Sequence, residues 1–273
     1  MIIKIYGTRG SVPVCDPSFQ EFGGNTTCFS IYREDINAYF VIDAGTGIRN
    51  FGKDIMKFQK KQSLIPIGFT HFHWDHIQGF PFFKPAYDTE TTLNILSVGD
   101  TTESELQSIL QTQMQGEYFP IPMSEMGAKF RFTSLGVDFV DVNGLKAKII
   151  KQNHPGISYG VRIELLGQSL VICTDVEHGN PISEDYIQFC KNADLLIHEA
   201  QYTDAELAKH RGWGHSSYSQ AIEVAERSRA KMLVITHHDP DHNDEFLQKQ
   251  EKICQERFKN CELAREGCEY DIG

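Results

Sequence analysis

Residues 71–76 read HFHWDH, three imidazoles and a carboxylate set one residue after the apolar run LIPIGF. Imidazole nitrogen and carboxylate oxygen together suit zinc best, with manganese or iron as alternatives. On an extended chain alternate side chains point the same way, so His71, His73 and Asp75 can face one site. His76 comes one residue later and requires the chain to turn, into a helix expected near Ile77. A wholly helical reading wastes the spacing, because residues two apart do not share a helix face. Ligands on both sides of such a turn leave room for two metals. The rest of each shell must come from elsewhere, and His154, Asp175 and His237 each stand at the end of an apolar run.

The elements that must position these groups follow one pattern. IIKIY runs into GTRGS, AYFVI into DAGTG, LKAKII into KQNHPG, SLVIC into TDVEHG, ADLLI into HEA, and MLVI into THHDP. Continuous aliphatic runs of this length predict strands covered on both faces. Between them lie helical stretches. TESELQSILQTQM opens on a Thr102-x-x-Glu105 capping box, with Leu106, Ile109, Leu110 and Met114 on one face. SSYSQAIEVAERSR starts on Ser217-x-x-Gln220 and repeats apolar residues at Tyr218, Ala221, Ile222 and Ala225. NDEFLQKQEKICQERF does the same with Phe246, Leu247, Ile253, Cys254 and Phe258. Strands mixed with helices predict an α/β domain spanning residues 1–273, its polar corners gathered along one edge of the sheets.

Composition narrows the function classes. The net charge of −11 argues against a surface that tracks nucleic-acid phosphates. Short basic stretches such as KFQKK (57–61) read as solvated faces. No run is apolar for the roughly 20 residues that span a bilayer, and MIIKIYGTRGS turns polar too soon for a secretory signal. The seven cysteines include no CxxC pair, which favours reduced thiols and a cytoplasmic protein.

HFHWDH is similar to the HxHxDH signature of the metallo-β-lactamase superfamily. GTRGS, GGNTTC (23–28), VIDAGTG (41–47), NHP (153–155), CTD (173–175), HEA (198–200), GHSS (214–217) and THHDP (236–240) resemble its other motifs, in the expected order along the chain. The chain looks most like the phosphodiesterase branch, which contains tRNase Z and cyclic-phosphodiester hydrolases. The resemblance implies an αββα sandwich with two divalent metal ions at one edge between the sheets. His71, His73 and His154 would bind one ion. Asp75, His76 and His237 would bind the other, with Asp175 bridging. His237 is preferred over its neighbour His238 because it directly follows the LVIT strand, and Asp43 is expected to support the ligands without joining them. His178, His198, His210 and His242 have no ligand role assigned.

Such a metal pair can bring the pKa of a bridging water towards neutrality, with Asp75 orienting the resulting hydroxide or accepting its proton. A phosphodiester also needs a proton for its departing alkoxide. His215, oriented by Glu199, is the candidate general acid, as the matching pair is thought to be in the tRNase Z-like branch. The leading expectation is therefore a hydrolase of small or cyclic phosphodiesters. The alternatives are a pre-tRNA 3′ endonuclease and a lactone or thioester hydrolase. The tRNA substrate is disfavoured because no basic or Gly/Pro-rich arm stands out, and a homo-oligomer is left open. Trp74, Phe80, Phe82, Phe83 and Tyr87 around the metal loop either stack a base or fill the core, and EYFPIP (117–122) is a candidate pocket lip.

Overall fold

The computed structural model describes residues 1–57, 63–136, 140–142 and 145–273, with backbone alone for 140–142. Of the KFQKK stretch only Lys57 falls within these limits, so its reading as a solvated face lies outside the described residues.

Two sheets are built in succession. The first takes β1 (Ile2–Gly7), β2 (Cys28–Arg33), β3 (Ala38–Ile42), β4 (Leu64–Phe69), β5 (Thr92–Ser97) and β6 (Lys129–Ser134). The second takes β7 (Val140–Val142), β8 (Leu145–Gln152), β9 (Ser158–Leu165), β10 (Gln168–Cys173), β11 (Leu195–Glu199), β12 (Leu233–Thr236) and β13 (Cys261–Leu263). A last strand, β14 (Glu269–Asp271), returns to pair with β1. The orders are β14-β1-β2-β3-β4-β5-β6 and β13-β12-β11-β10-β9-β8-β7, seven strands each among the described residues. Strands β3 to β6 are parallel, as are β10 to β13. The carboxyl ends of a parallel set fall on one edge, the usual place for a site in such sheets.

Three buried clusters separate four layers. Leu170, Ile172, Leu195, Ile197 and Val234 meet Ile3, Ile5, Phe29 and Ile31 between the sheets. The alternate residues Val171, Leu196, Leu233 and Ile235 face outward, onto α4 (Glu184–Cys190), α6 (Tyr218–Ser228) and α7 (Asp244–Arg257), with the short α5 (Asp204–Leu207) between α4 and α6 in the chain. On the opposite side α1 (Ile48–Ile55) and α3 (Glu103–Gln113) cover Val41, Ile65, Ile67, Leu93 and Ile95. This is the αββα sandwich. It explains the unbroken apolar runs Leu170–Cys173, Leu195–Ile197 and Leu233–Ile235: both faces of each strand are covered, and each fully buried side chain contributes about 1.5–3 kcal/mol.

Some expectations need correction. LKAKII is covered on one face only, since Lys146 and Lys148 of β8 are exposed. β8 lies next to the sheet edge, and the outer layer reaches only its carboxyl end, where Ile150 packs against the outer cluster and Tyr186 of α4 donates its hydroxyl to Gln152 at 3.2 Å. In α7, Leu247 and Cys254 are buried, but Ile253 is 52% exposed, because it sits one residue round the helix from the packed stripe. The capping boxes of α3 and α6 form with both reciprocal hydrogen bonds. The helix after HFH, α2 (Trp74–Ile77), begins three residues earlier than expected, with His73 as an extended N-cap.

Candidate metal centre

The loops that leave β3, β4, β8, β10, β11 and β12 converge at one edge. Three of these exits are sharp: Asp43, Asp175 and His237 have φ values of 61°, 59° and 60°. Left-handed backbone in non-glycine residues is costly, and it clusters at functional sites because it aims a side chain that a regular exit would turn away. Here it turns all three side chains inward. The early start of α2 does the same for HFHWDH. His71 and His73 leave the strand extended, while Asp75 and His76 lie on the first helical turn and point to a second position.

Two sets of donor atoms result. His71, His73 and His154 form one, and Asp75, His76, Asp175 and His237 the other. His73 Nδ1 lies 3.0 Å from His154 Nε2. Asp175 Oδ1 is 3.7 Å from both His71 Nε2 and His154 Nε2, and 3.3 Å from His237 Nε2. Its other oxygen, Oδ2, is 3.1 Å from His76 Nε2. Asp75 Oδ2 is 3.1 Å from His237 Nε2 and 3.4 Å from His76 Nε2. Asp175 thus touches both sets. Every residue singled out in the sequence as a ligand is brought into this cluster.

These distances fit shared ions. Two donors on one tetrahedral zinc, each 2.0–2.1 Å away, stand about 3.3 Å apart. His71 Nε2, His76 Nε2 and Asp175 Oδ2 are buried without a hydrogen-bond partner of good geometry, an arrangement native interiors seldom leave uncompensated. The ionisation states point the same way. Burial, with the charge of His76 added, holds His71 well below the usual histidine range, and burial lowers His73 and His154 too, leaving imidazole lone pairs free. Burial opposes ionisation of Asp175, yet His237, His76 and His71 keep it well below the carboxylate range. Burial would also lower His76, but Asp175, Asp75 and Asp43 push it far up. Its Nε2 is a position that attracts a cation, and a divalent ion can take the proton's place.

Surrounding groups fix the donors. Asp43 Oδ2 is 2.8 Å from His76 Nδ1, and the same carboxylate accepts the Thr70 backbone N–H and hydroxyl, both at 2.8 Å. A carboxylate on the far ring nitrogen fixes the tautomer and raises ligand basicity. The Gly214 carbonyl lies 2.9 Å from His154 Nδ1. A Cβ on Gly214 would sit 2.2 Å from that nitrogen, at a φ of 89°, so glycine lets the GHSS turn press against His154. The GTRGS turn has a role that its residues do not announce. Ser11 donates its backbone N–H to Asp75 Oδ2 at 2.9 Å, and a Cβ on Gly10 would meet the His237 ring at 2.2 Å. His238 points elsewhere, with Nε2 2.9 Å from the Ala264 carbonyl and its pKa brought down to about 3 by burial and by Arg9. His178 and His198 pair with each other at 3.0 Å, away from both donor sets.

Glu199 and His215 stand beside the cluster. Glu199 is fully buried and accepts backbone N–H groups from Val176 and Ser216 at 3.0 Å each, and from Gln201 at 3.1 Å. His215 Nδ1 is 3.3 Å from Glu199 Oε1. Burial opposes protonation of His215, but the Glu199 carboxylate and its hydrogen bond push it up to about 9. One ring nitrogen of His215 also falls within 4.8 Å of donor atoms on His154 and Asp175. A cationic imidazole beside the two donor sets can give a proton to a departing oxygen.

Residues 38–238 match the family described as the Beta-lactamase superfamily domain. The chain belongs to this family, and with its histidine–aspartate cluster it is a metal-dependent hydrolase. It is 22% identical to the ribonuclease Z of Gemmatimonas aurantiaca over 100% of this chain and 96% of that one. The human short-form tRNase Z superposes with a TM-score of 0.68 at 21% identity, covering 100% of both chains. A diphosphatase from the PhnP family superposes with a TM-score of 0.71 at 15% identity, over 99% of this chain and 97% of that one. Among the described residues, no helix is long and apolar enough to cross a membrane.

Proposed function

We propose that this chain hydrolyses phosphodiesters at a two-metal centre, with His71, His73 and His154 holding one ion, Asp75, His76 and His237 the other, and Asp175 shared. The donor set of imidazoles and carboxylates favours zinc, with manganese or iron as alternatives. When bound, the pair supplies Lewis acidity and an activated water. Asp75 accepts the backbone N–H of Ser11 and faces His237, so it is fixed to orient a nucleophile or receive its proton. Glu199, locked by three backbone donors, keeps His215 in one orientation and charged. His215 then protonates the alkoxide as it leaves.

The Glu199–His215 pair carries the reading. A thioester releases a thiolate, which departs without a proton, whereas an alkoxide leaving phosphorus depends on one; a lactone also releases an alkoxide and is separated by direct assay. Two substrate classes remain within it. Similarity to ribonuclease Z along the whole chain supports a pre-tRNA 3′ endonuclease better than the small-diester reading that the sequence placed first. The net charge of −11 supports the small or cyclic diester. Metal-loaded protein should be assayed on a 3′,5′-cyclic nucleotide, a pre-tRNA with a 3′ trailer, and a simple lactone. The expected result is turnover of at least one phosphodiester and little of the lactone. Turnover of the lactone alone would reject the reading.

A further inference from the structure

The aromatic residues around the metal loop divide sharply. Phe80 and Phe83 are fully buried in the core beneath α1, whereas Trp74 is 76% exposed and Phe82 55% exposed. The split follows from the chain path after Gly79, where short 3-10 turns send Phe80 inward and Phe82 outward. Across from them Tyr118, 68% exposed, and Phe119 project from the segment after α3, and Phe119 meets the Phe82 ring edge-on at 5.5 Å. These four aromatics line one pocket of about 1180 Å³, whose floor includes His71 and His73. Exposed Trp, Phe and Tyr gathered in a cavity beside a reaction centre are not core residues. Phe119 is half-buried against the core and holds the Phe82 ring, which leaves the exposed rings of Trp74 and Tyr118 able to stack.

Polar groups in the same pocket define what would stack there. Gln113 lines it with its Nε2 buried and unpartnered, a donor that lacks an acceptor. Asp100, Glu105 and Glu117 also line it, and no lysine or arginine does among the described residues. Glu105 is already committed to capping Thr102. A wall of carboxylates repels further phosphates, and an unpaired amide disfavours a bare alkyl chain. A neutral, flat heterocycle with both donors and acceptors on its edge satisfies every feature: aromatic faces for its rings, an amide and carboxylates for its edge.

Building on the phosphodiester reading, we infer that this pocket takes the nucleobase of a nucleoside phosphodiester, stacked on Trp74 and Tyr118 and read at its edge by Gln113, with the phosphate at the metals. Trp74 and Gln113 are then specificity-determining residues.

The protein has two tryptophans, so Trp213→Phe leaves Trp74 as the sole reporter of fluorescence. Metal-loaded Trp213→Phe protein should be titrated with 5′-AMP and with ribose 5-phosphate, which carries the same phosphate without a base. AMP is expected to quench Trp74 and bind about 10- to 100-fold more tightly, the range that base–aromatic stacking supplies. Trp74→Ala should remove most of this preference, measured by inhibition of turnover, and Trp74→Phe should restore part of it. Gln113→Leu should weaken AMP and leave ribose 5-phosphate unchanged. Metal content should be the same in all variants. Equal affinity for the two ligands, with phosphodiester turnover intact, overturns the inference and leaves the proposed function standing. A base preference without turnover of any phosphodiester would instead sink the proposed function.

Discussion

His215→Ala should slow hydrolysis of a diester with an alkoxide leaving group far more than that of a nitrophenyl diester. Nitrophenolate departs unaided, so the loss of a general acid, worth about 10²–10⁴-fold, falls mainly on the alkoxide substrate. Glu199→Gln should show the same selectivity more weakly. It removes the carboxylate that raises His215 but keeps an acceptor near its ring, so the imidazole stays in place and holds its proton less firmly. Metal content distinguishes this role from another that the geometry permits. His215 lies close enough to His154 and Asp175 to serve as a ligand. Loss of a metal in His215→Ala, or equal slowing of both substrates, would assign it to the metal shell.

Asp175→Ala should be the more damaging change at the centre. Its two oxygens reach His71, His154 and His237 on one side and His76 on the other, so its removal strips both donor sets of a shared negative charge. Both ions should be lost or weakened together, with activity falling by more than the roughly 10- to 100-fold that outer-shell changes cost. His154→Ala should mainly empty the set with His71 and His73 and spare the other. The readout is metal bound per chain after dialysis against a limiting metal buffer. Loss of one ion from each variant would show that Asp175 does not bridge.

Much of the centre is legible in the sequence because each contributing residue follows an apolar run. His71, Asp175, Glu199 and His237 all stand at the carboxyl ends of strands that the aliphatic runs announce. The start of α2 is not legible. Histidine at an N-cap carries no capping signal, so alternation along HFHWD gives no warning that the chain turns at Trp74. Strands β6 and β9 escape notice because KFRFTS and SYGVRIEL mix polar residues into half-covered faces. The support from GTRGS is hidden for another reason. Ser11 meets Asp75 across 64 residues of chain, and Gly10 meets a histidine from the far end of the sequence, so no local pattern encodes either contact. The division of GFPFF between core and pocket depends on a turn geometry that its composition leaves open.

The most direct measurement is the activity of metal-free protein on a phosphodiester as zinc is added back in known equivalents. Two shared donor sets around one bridging carboxylate predict that turnover rises until about two ions are bound per chain, with both retained after removal of free metal. Full turnover at one ion or none would contradict the two-metal account.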